Sequence, residues 1–412
     1  MNSTPRSNRT HIAVLGRRNV GKSAFMNAFL GQEMSIVSDT PGTTTDPVEK
    51  SYELQPLGPV VLIDTAGVDD EGELGEKRVE KTRRVLARAD LAVLICEVGQ
   101  FTRFEAALVE DLQAARVPFL LLAGKADLAD GAQLAAFVKD LAGRFEQAPV
   151  LRFCATCAED VERAKDSLSK LAAGRDEELP IIADLVRSPA TVVLVVPIDK
   201  EAPKGRLILP QVQTLRELLD ADVATVVVKE RELEYTLRHV LRNKPDLVVT
   251  DSQAFLKVDA DVPEDVPLTS FSILFARHKG DLAEAVRGVR AISKLKDGSR
   301  VLIAEACSHR PISEDIGRVK LPRWLGSVTG ARLEFDVRAG HDFPDDLISY
   351  DLVIQCGGCM VNRAAILSRI RRTTGQGVPV TNYGVAIAYL HGILPRAIRM
   401  FPEAMAAWEA GV

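Results

Sequence analysis

The chain has 412 residues, 46% hydrophobic and 26% charged, with a net charge of −5; this length exceeds one ordinary core and points to roughly two to four domains. The slightly acidic balance and 5% aromatic content argue against a nucleic-acid platform, and no apolar run nears the roughly 20 residues of a membrane helix. The polar start, Met1–Thr10, lacks the apolar core of a secretory signal, and six cysteines are too few for a disulfide scaffold, so a reducing cytoplasm with thiols free for metal is expected.

In chain order, His11–Leu15 reads as a buried strand that runs into Gly16-Arg17-Arg18-Asn19-Val20-Gly21-Lys22-Ser23. This is the G-x-x-x-x-G-K-S phosphate loop, between a strand and the helix Ser23–Leu30, which stops at Gly31. Gly16, Asn19, Val20, Gly21, Lys22, Ser23 and Ala24 form the cradle. Its glycines let backbone N–H groups wrap the phosphates, and the helix points its positive end at the anion. Lys22 reaches the β- and γ-phosphates and the Ser23 hydroxyl takes one Mg²⁺ position. A second buried strand, Val60–Asp64, ends in Asp64-Thr65-Ala66-Gly67. Asp64 can hold the Mg²⁺ through water and Gly67 can offer its N–H to a γ-phosphate, the arrangement of a moving switch. Within Pro41–Asp46 a threonine would complete the Mg²⁺ shell; Thr44 is the choice and Thr43 the reserve.

The strand Leu120–Ala123 is followed by Gly124-Lys125-Ala126-Asp127. Asp127 would accept from the N1 and N2 edge of guanine, and Lys125 would lie along the base plane. After a strand at Val150, Phe153-Cys154-Ala155-Thr156 sits where a loop covers the base, through Cys154 and Ala155. Cys154 and Cys157 can also be read as a C-x-x-C metal pair, but no second pair lies nearby in sequence.

Together these motifs resemble the Era/TrmE branch of small GTPases. The resemblance implies Mg²⁺-dependent GTP hydrolysis, with Lys22, Thr44, Asp64 and Gly67 as the catalytic set. Asn19 matches the asparagine that holds a monovalent cation in potassium-activated members, so K⁺ would supply the charge an arginine finger supplies elsewhere. Val68 stands where Ras-like enzymes carry a catalytic glutamine, which implies slow intrinsic hydrolysis. Gly124 departs from the Asn-Lys-x-Asp pattern, which implies weaker nucleotide affinity with guanine selectivity kept by Asp127. The basic helix Glu76–Ala89 reads either as a docking face or as a solvated amphipathic helix.

Arg175–Pro180 mixes charge and proline and reads as a linker. Beyond it, strands at Thr191–Val196, Ala224–Val228 and Leu247–Thr250 alternate with helices at Gln211–Leu219 and Glu230–Leu241. This small parallel α/β unit carries no catalytic constellation and suits an assembly surface, with Ala202–Pro210 as a loop. Asp259–Pro267 reads as a second hinge, followed by strands at Phe271–Phe275, Arg300–Glu305, Ala331–Phe335, Asp351–Gln355 and Val378–Thr381 and a clear helix at Asn362–Arg372. The expected domains are 1–175, 176–262 and 263–412.

The last of these carries the most specific chemistry. Cys307 lies just past one strand and Cys356-Gly357-Gly358-Cys359 directly follows another. In an open parallel sheet both positions face one crevice, which Thr381–Gly384 should also line. Three thiolates suit a 4Fe–4S cluster with one iron left open, His309 being the candidate fourth ligand; a Cys₃His zinc site and no metal are the alternatives.

A GTPase, an α/β spacer and then Cys-x-His with a distant Cys-Gly-Gly-Cys: this order, together with Asp64–Thr82, Ala202–Gln213 and Ser270–Asp281, resembles the FeFe-hydrogenase maturation GTPase family over the whole chain. The implied fold is α/β, with an N-terminal P-loop small-GTPase domain, a small α/β dimerisation domain and a C-terminal α/β iron–sulfur domain. The implied role is a homodimeric scaffold or carrier that binds a 4Fe–4S cluster, exchanges cargo with radical-SAM maturases and delivers a diiron unit to apo-FeFe-hydrogenase. GTP/GDP, Mg²⁺, K⁺ and the 4Fe–4S cluster are the implied cofactors, with no membrane. Histidine usually precedes the family's Cys-Gly-Gly-Cys, where this chain has Gln355. The alternative is an Era/TrmE-like GTPase of tRNA modification or ribosome assembly with a zinc-bound domain.

Overall fold

The computed structural model describes residues 4–31, 48–65, 73–174, 179–197, 207–306, 315–340 and 342–411. Thr43, Thr44, Gly67, Val68, Cys307 and His309 lie outside the described residues. The chain divides into two units, Met1–Glu177 and Glu178–Val412. Among the described residues no helix is long and apolar enough to cross a membrane.

In the first unit, the strands β1 (Thr10–Leu15), β2 (Val48–Leu54), β3 (Gly58–Asp64), β4 (Leu91–Glu97), β5 (Phe119–Gly124) and β6 (Val150–Arg152) form a six-stranded sheet of order β2-β3-β1-β4-β5-β6. β2 runs antiparallel to β3, and the remaining pairs are parallel. The central strands are apolar without a break because both faces are covered. Ile12, Val14, Val60 and Leu62 enter one buried cluster, while Ala13, Leu15, Val61 and Ile63 enter the other, the alternation a pleated strand imposes. Five helices surround this sheet: α1 (Lys22–Leu30), α2 (Glu73–Leu86), α3 (Arg103–Ala115), α4 (Gly131–Arg144) and α5 (Ala158–Ala173). α1 ends at Gly31 with φ 65°, and α3 starts on a capping box formed by Thr102 and Glu105.

In the second unit, β7 (Thr191–Val195), β8 (Ala224–Val228), β9 (Leu247–Thr250) and β10 (Leu268–Ser270) make a parallel sheet of order β10-β9-β7-β8. A second parallel sheet, of order β12-β11-β13-β14, is built from β11 (Arg300–Ala304), β12 (Glu334–Arg338), β13 (Leu352–Gln355) and β14 (Val380–Asn382). The helices are α6 (Leu209–Asp220), α7 (Leu233–Tyr235), α8 (Phe255–Asp261), α9 (Phe271–Lys279), α10 (Leu282–Val289), α11 (Leu321–Thr329), α12 (Arg363–Gly375), α13 (Tyr383–Leu390), α14 (Leu394–Ile398) and α15 (Pro402–Glu409).

Three expectations change here. Phe271–Phe275 is the first part of α9, not a strand. A short apolar run has no period that separates strand from buried helix, and this helix buries Phe271, Ile273, Leu274 and Phe275 together. The Asp259–Pro267 stretch is not an exposed hinge. Its first residues end α8, Val262 and Val266 are buried, and the strand that follows pairs with β9 at the edge of the first sheet. One buried cluster runs from Ile181 to Ala407 and takes side chains from both sheets. The strand expected at Ala331–Phe335 lies at Glu334–Arg338.

Gly288 sets how closely α10 approaches β14. A Cβ there would stand 1.9 Å from the Val380 carbonyl oxygen and 2.9 Å from its nitrogen, both backbone atoms that cannot rotate away. Gly288→Ala should therefore destabilise the second unit by about 3 kcal/mol. Both tryptophans, Trp324 and Trp408, lie in that unit, so their fluorescence in a urea titration reads the loss directly.

Candidate functional sites

The phosphate loop leaves β1 at the point where chain direction diverges: β1 leads toward β3 on one side, while β4 leads to β5 on the other. Ligands collect at such switch points beyond the carboxyl ends of parallel strands. The loop conformation requires its glycines. Gly16 has φ 144°, and a Cβ on it would lie 2.6 Å from the Ile95 carbonyl oxygen. Gly21, at φ 108°, caps α1 with no side chain in the way, and Asn19 takes a left-handed φ of 60°. Lys22 is buried in the first turn of α1, and its Nζ donates to the carbonyls of Gly16 at 2.8 Å and Arg17 at 2.7 Å. Ser23 and Ala24 follow it, exposed, in the same turn.

Asp64 ends β3 beside the loop. Burial raises its carboxyl above the usual range, opposed by the charges of Lys22 and then Lys50. Its Oδ1 is buried and has no hydrogen-bond partner among the described residues. A buried carboxylate oxygen without a donor, beside a phosphate-binding lysine, fits water-mediated Mg²⁺. Next to it, Thr65 Oγ1 donates to the Val14 carbonyl at 2.8 Å and fixes the start of the switch segment.

The base-reading elements follow β5 and β6. Gly124 ends β5, and Lys125 adopts φ 57° with its ammonium 3.0 Å from Glu97. Asp127 is exposed in the turn that follows. Phe153 is buried against the Phe25 ring, 5.3 Å between centroids, and its carbonyl accepts from Ala126 N–H at 3.3 Å. The loops carrying Asp127 and Cys154–Ala155 are thereby tied to each other. Gly124 has a local reason: a Cβ there would press on Ile95 Cγ2 at 2.9 Å.

Two supports of this site escape a motif search. The buried Glu105 carboxylate accepts from Arg17 of the phosphate loop at 2.6 Å and from the Thr102 backbone at 2.7 Å. The Thr102-x-x-Glu105 spacing signals the cap, but not the arginine. Buried Asp160 accepts from Cys154 N–H at 3.0 Å and pairs with Arg152 and Arg163. Cys154 in turn has its Sγ 3.1 Å from Thr156 Oγ1.

The second site lies at the switch point of the β12-β11-β13-β14 sheet. β11 leads to β12 on one side and its neighbour β13 leads to β14 on the other. Cys356 follows β13 directly. Its N–H donates to the Ala304 carbonyl at the end of β11, and its Sγ accepts from Ala306 N–H at 3.0 Å. Ala306 is the residue before Cys307. The chain then turns through Gly358, at φ 64°, where a Cβ would meet Ile366 Cδ1 at 2.6 Å. It enters α12 on an Asn362 cap, whose side chain accepts from Ala365 N–H.

Burial raises both thiols. At Cys356 it is opposed by hydrogen bonds from the Gly358 and Ala306 amides and by the charge of Arg369. At Cys359 burial is first, the nearby Cys356 adds to it, and Lys279 opposes it. Beside them opens a cleft lined by Phe275, Gln355, Cys356, Gly357, Thr381 and Asn382 among others. Gln355 is 3% exposed, and neither polar atom of its amide has a hydrogen-bond partner among the described residues. Among the described residues no group of three His, Cys, Asp or Glu is placed to hold a metal ion, Cys307 and His309 lying outside them.

Three family models match the chain in order. They are a 50S ribosome-binding GTPase over residues 11–125, the hydrogen maturase F dimerization domain over 181–280 and the hydrogen maturase F tetramerization domain over 283–400. Similar proteins include GTPase Der of Sulfurimonas denitrificans, 25% identical over 248 residues that cover 58% of this chain and 49% of that protein. The tRNA modification GTPase MnmE of Synechococcus sp. (strain JA-2-3B'a(2-13)) is 39% identical over 120 residues, 29% of this chain and 26% of that protein. The chain thus spans about half the length of the Der relative and about a quarter of MnmE. Among solved structures, Era of Aquifex aeolicus is 18% identical, with a TM-score of 0.35 over 53% of this chain and 92% of that one. The first unit is a GTPase domain, and with two hydrogen maturase F domains following it in sequence, the chain belongs to the HydF family of the Era/TrmE-like GTPase superfamily.

Proposed function

We propose that this chain is a GTP-hydrolysing scaffold that binds a 4Fe–4S cluster and assembles or delivers the diiron subcluster of the FeFe-hydrogenase H-cluster to the apo-hydrogenase. Radical-SAM maturases would be its other partners, and the homodimer its working form, with the domains divided as 1–175, 176–262 and 263–412. The observation that carries the reading is the hydrogen bond from Ala306 N–H to Cys356 Sγ, which ties the residue before Cys307 to the first thiol of Cys356–Cys359. The thiol donor set and the amides of Ala306 and Gly358 fit a sulfide-rich anionic cluster held by Cys307, Cys356 and Cys359. Bound there, it supplies an iron with an open position, for which His309 is the protein ligand in reach by sequence.

In the GTPase domain, Lys22, Ser23, Thr44, Asp64 and Gly67 would hold the triphosphate and its Mg²⁺, and Asp127 with Lys125 and Cys154–Ala155 the guanine. By the family resemblance, Asn19 would be the K⁺ ligand through its side chain. Assembly has a physical basis as well. β8 is an edge strand with Val227 exposed, and α6 exposes Val212 and Leu219, apolar surface that a second subunit would cover. The likeness to MnmE covers 29% of the chain.

Anaerobic reconstitution tests the scaffold. The wild type should bind about four iron atoms per chain with thiolate-to-iron absorbance. Cys356→Ser should lose most of both, and a colourless wild type holding zinc would sink the reading. Lys22→Ala should slow GTP hydrolysis by about 100-fold or more and leave the iron content unchanged; loss of the cluster would refute two separable sites. Replacing Na⁺ by K⁺ should accelerate wild-type hydrolysis and leave Asn19→Ala unaffected, measured as phosphate release.

A further inference from the structure

The Cys356–Val361 loop is gripped from outside the sheet. Lys279, the last residue of α9, is 3% exposed. Its Nζ donates to the Val361 carbonyl at 2.9 Å and lies 3.4 Å and 3.5 Å from the carbonyls of Gly358 and Cys359. It also sits over the Phe275 ring, 5.8 Å from the centroid. Taking an ammonium out of water is costly unless it is well partnered, and a lysine used only to fill space would not converge on three carbonyls of one turn.

The carbonyls it holds decide where the amides point. A trans peptide directs its C=O and N–H in opposite senses. With the carbonyls of Gly358 and Cys359 drawn to Lys279, the N–H groups of Cys359 and Met360 turn the other way, and these two amides act to lower the Cys359 thiol against the burial that raises it. Arg369 of α12 is 8% exposed, with its guanidinium donating to the backbone carbonyls of Glu305 and Gly340. Each thiol thus has a buried cation acting on it, Arg369 on Cys356 and Lys279 on Cys359.

We propose that Lys279 is a positioning residue of the thiol site: it orients the loop amides toward sulfur and places a fixed positive charge that sets the reduction potential of the iron–sulfur cluster bound there. This rests on the reading of Cys356 and Cys359 as cluster ligands. A buried unit charge within several ångströms of an anionic cluster favours the more negative, reduced state by more than the thermal energy. Lys279 carries no ligand atom, so its effect reaches the metal through the field and the loop alone.

The test is the midpoint potential of the reconstituted full-length protein, followed by EPR during a redox titration, for wild type, Lys279→Gln and Lys279→Arg. Iron content and tryptophan fluorescence are recorded for each. Lys279→Gln should keep its iron, yet at a fixed potential its ratio of reduced to oxidised cluster should fall by about tenfold, about 59 mV for a one-electron couple. Lys279→Arg, which keeps the charge, should stay near the wild-type potential. An unchanged potential in Lys279→Gln, or an equal shift in both variants, overturns the proposal in favour of simple packing. If Lys279→Gln does not fold, a Lys279→Arg potential displaced from wild type overturns it and one that matches supports it. A wild type without any cluster refutes the reading beneath it, an outcome separate from the first two.

Discussion

A parallel strand has to pass its chain to a helix on one face of the sheet, and neighbouring strands that lead in opposite directions leave a gap between their carboxyl ends. Both candidate sites sit in such gaps, one between β1 and β4 and the other between β11 and β13. What fills each gap is a glycine-bearing turn. In the first, Gly16 and Gly21 adopt positive φ ahead of α1; in the second, Gly358 does so ahead of α12. The two units therefore use the same backbone device, one suited to binding anions. They differ in the side chains at the turn, a lysine in one and thiols in the other.

Each turn is braced by a buried charged side chain that complements the groups it meets. Glu105 holds Arg17, Asp160 holds the Cys154 amide, and Lys279 holds the carbonyls of the Cys356–Val361 loop. Such braces are worth more inside than at the surface, because a partner removed there leaves the other stranded in low dielectric. They also explain why the loops can be glycine-rich without being loose.

Much of this was legible in the sequence where local rules act alone. Ala224–Val228 and Leu247–Thr250 are strands over those same residues, and the phosphate loop lies between its strand and helix. The cysteine pair falls at a strand end because Leu352–Gln355 is a short apolar run that stops at Cys356. What was not legible depends on contacts between distant segments. Phe271–Phe275 has strand composition, but packing on several sides makes it a helix. Asp259–Pro267 has the composition of a hinge, yet Val262 and Val266 anchor it to the core. Lys279 lies 77 positions before Cys356, since 356 − 279 = 77, and no spacing rule links them. Arg17 and Glu105 are 88 apart.

Gly124 also carries a consequence for its neighbour on β4. The space that an asparagine would use at this position is taken by the Ile95 Cγ2 methyl, 2.9 Å from where a Cβ would stand. A β-branched methyl on a strand has few rotamers to retreat into. The two positions are therefore coupled, and their substitutions should not be additive. The departure from the common guanine-binding pattern thus has a steric partner on the neighbouring strand, and a side chain restored at 124 would need Ile95 to give way.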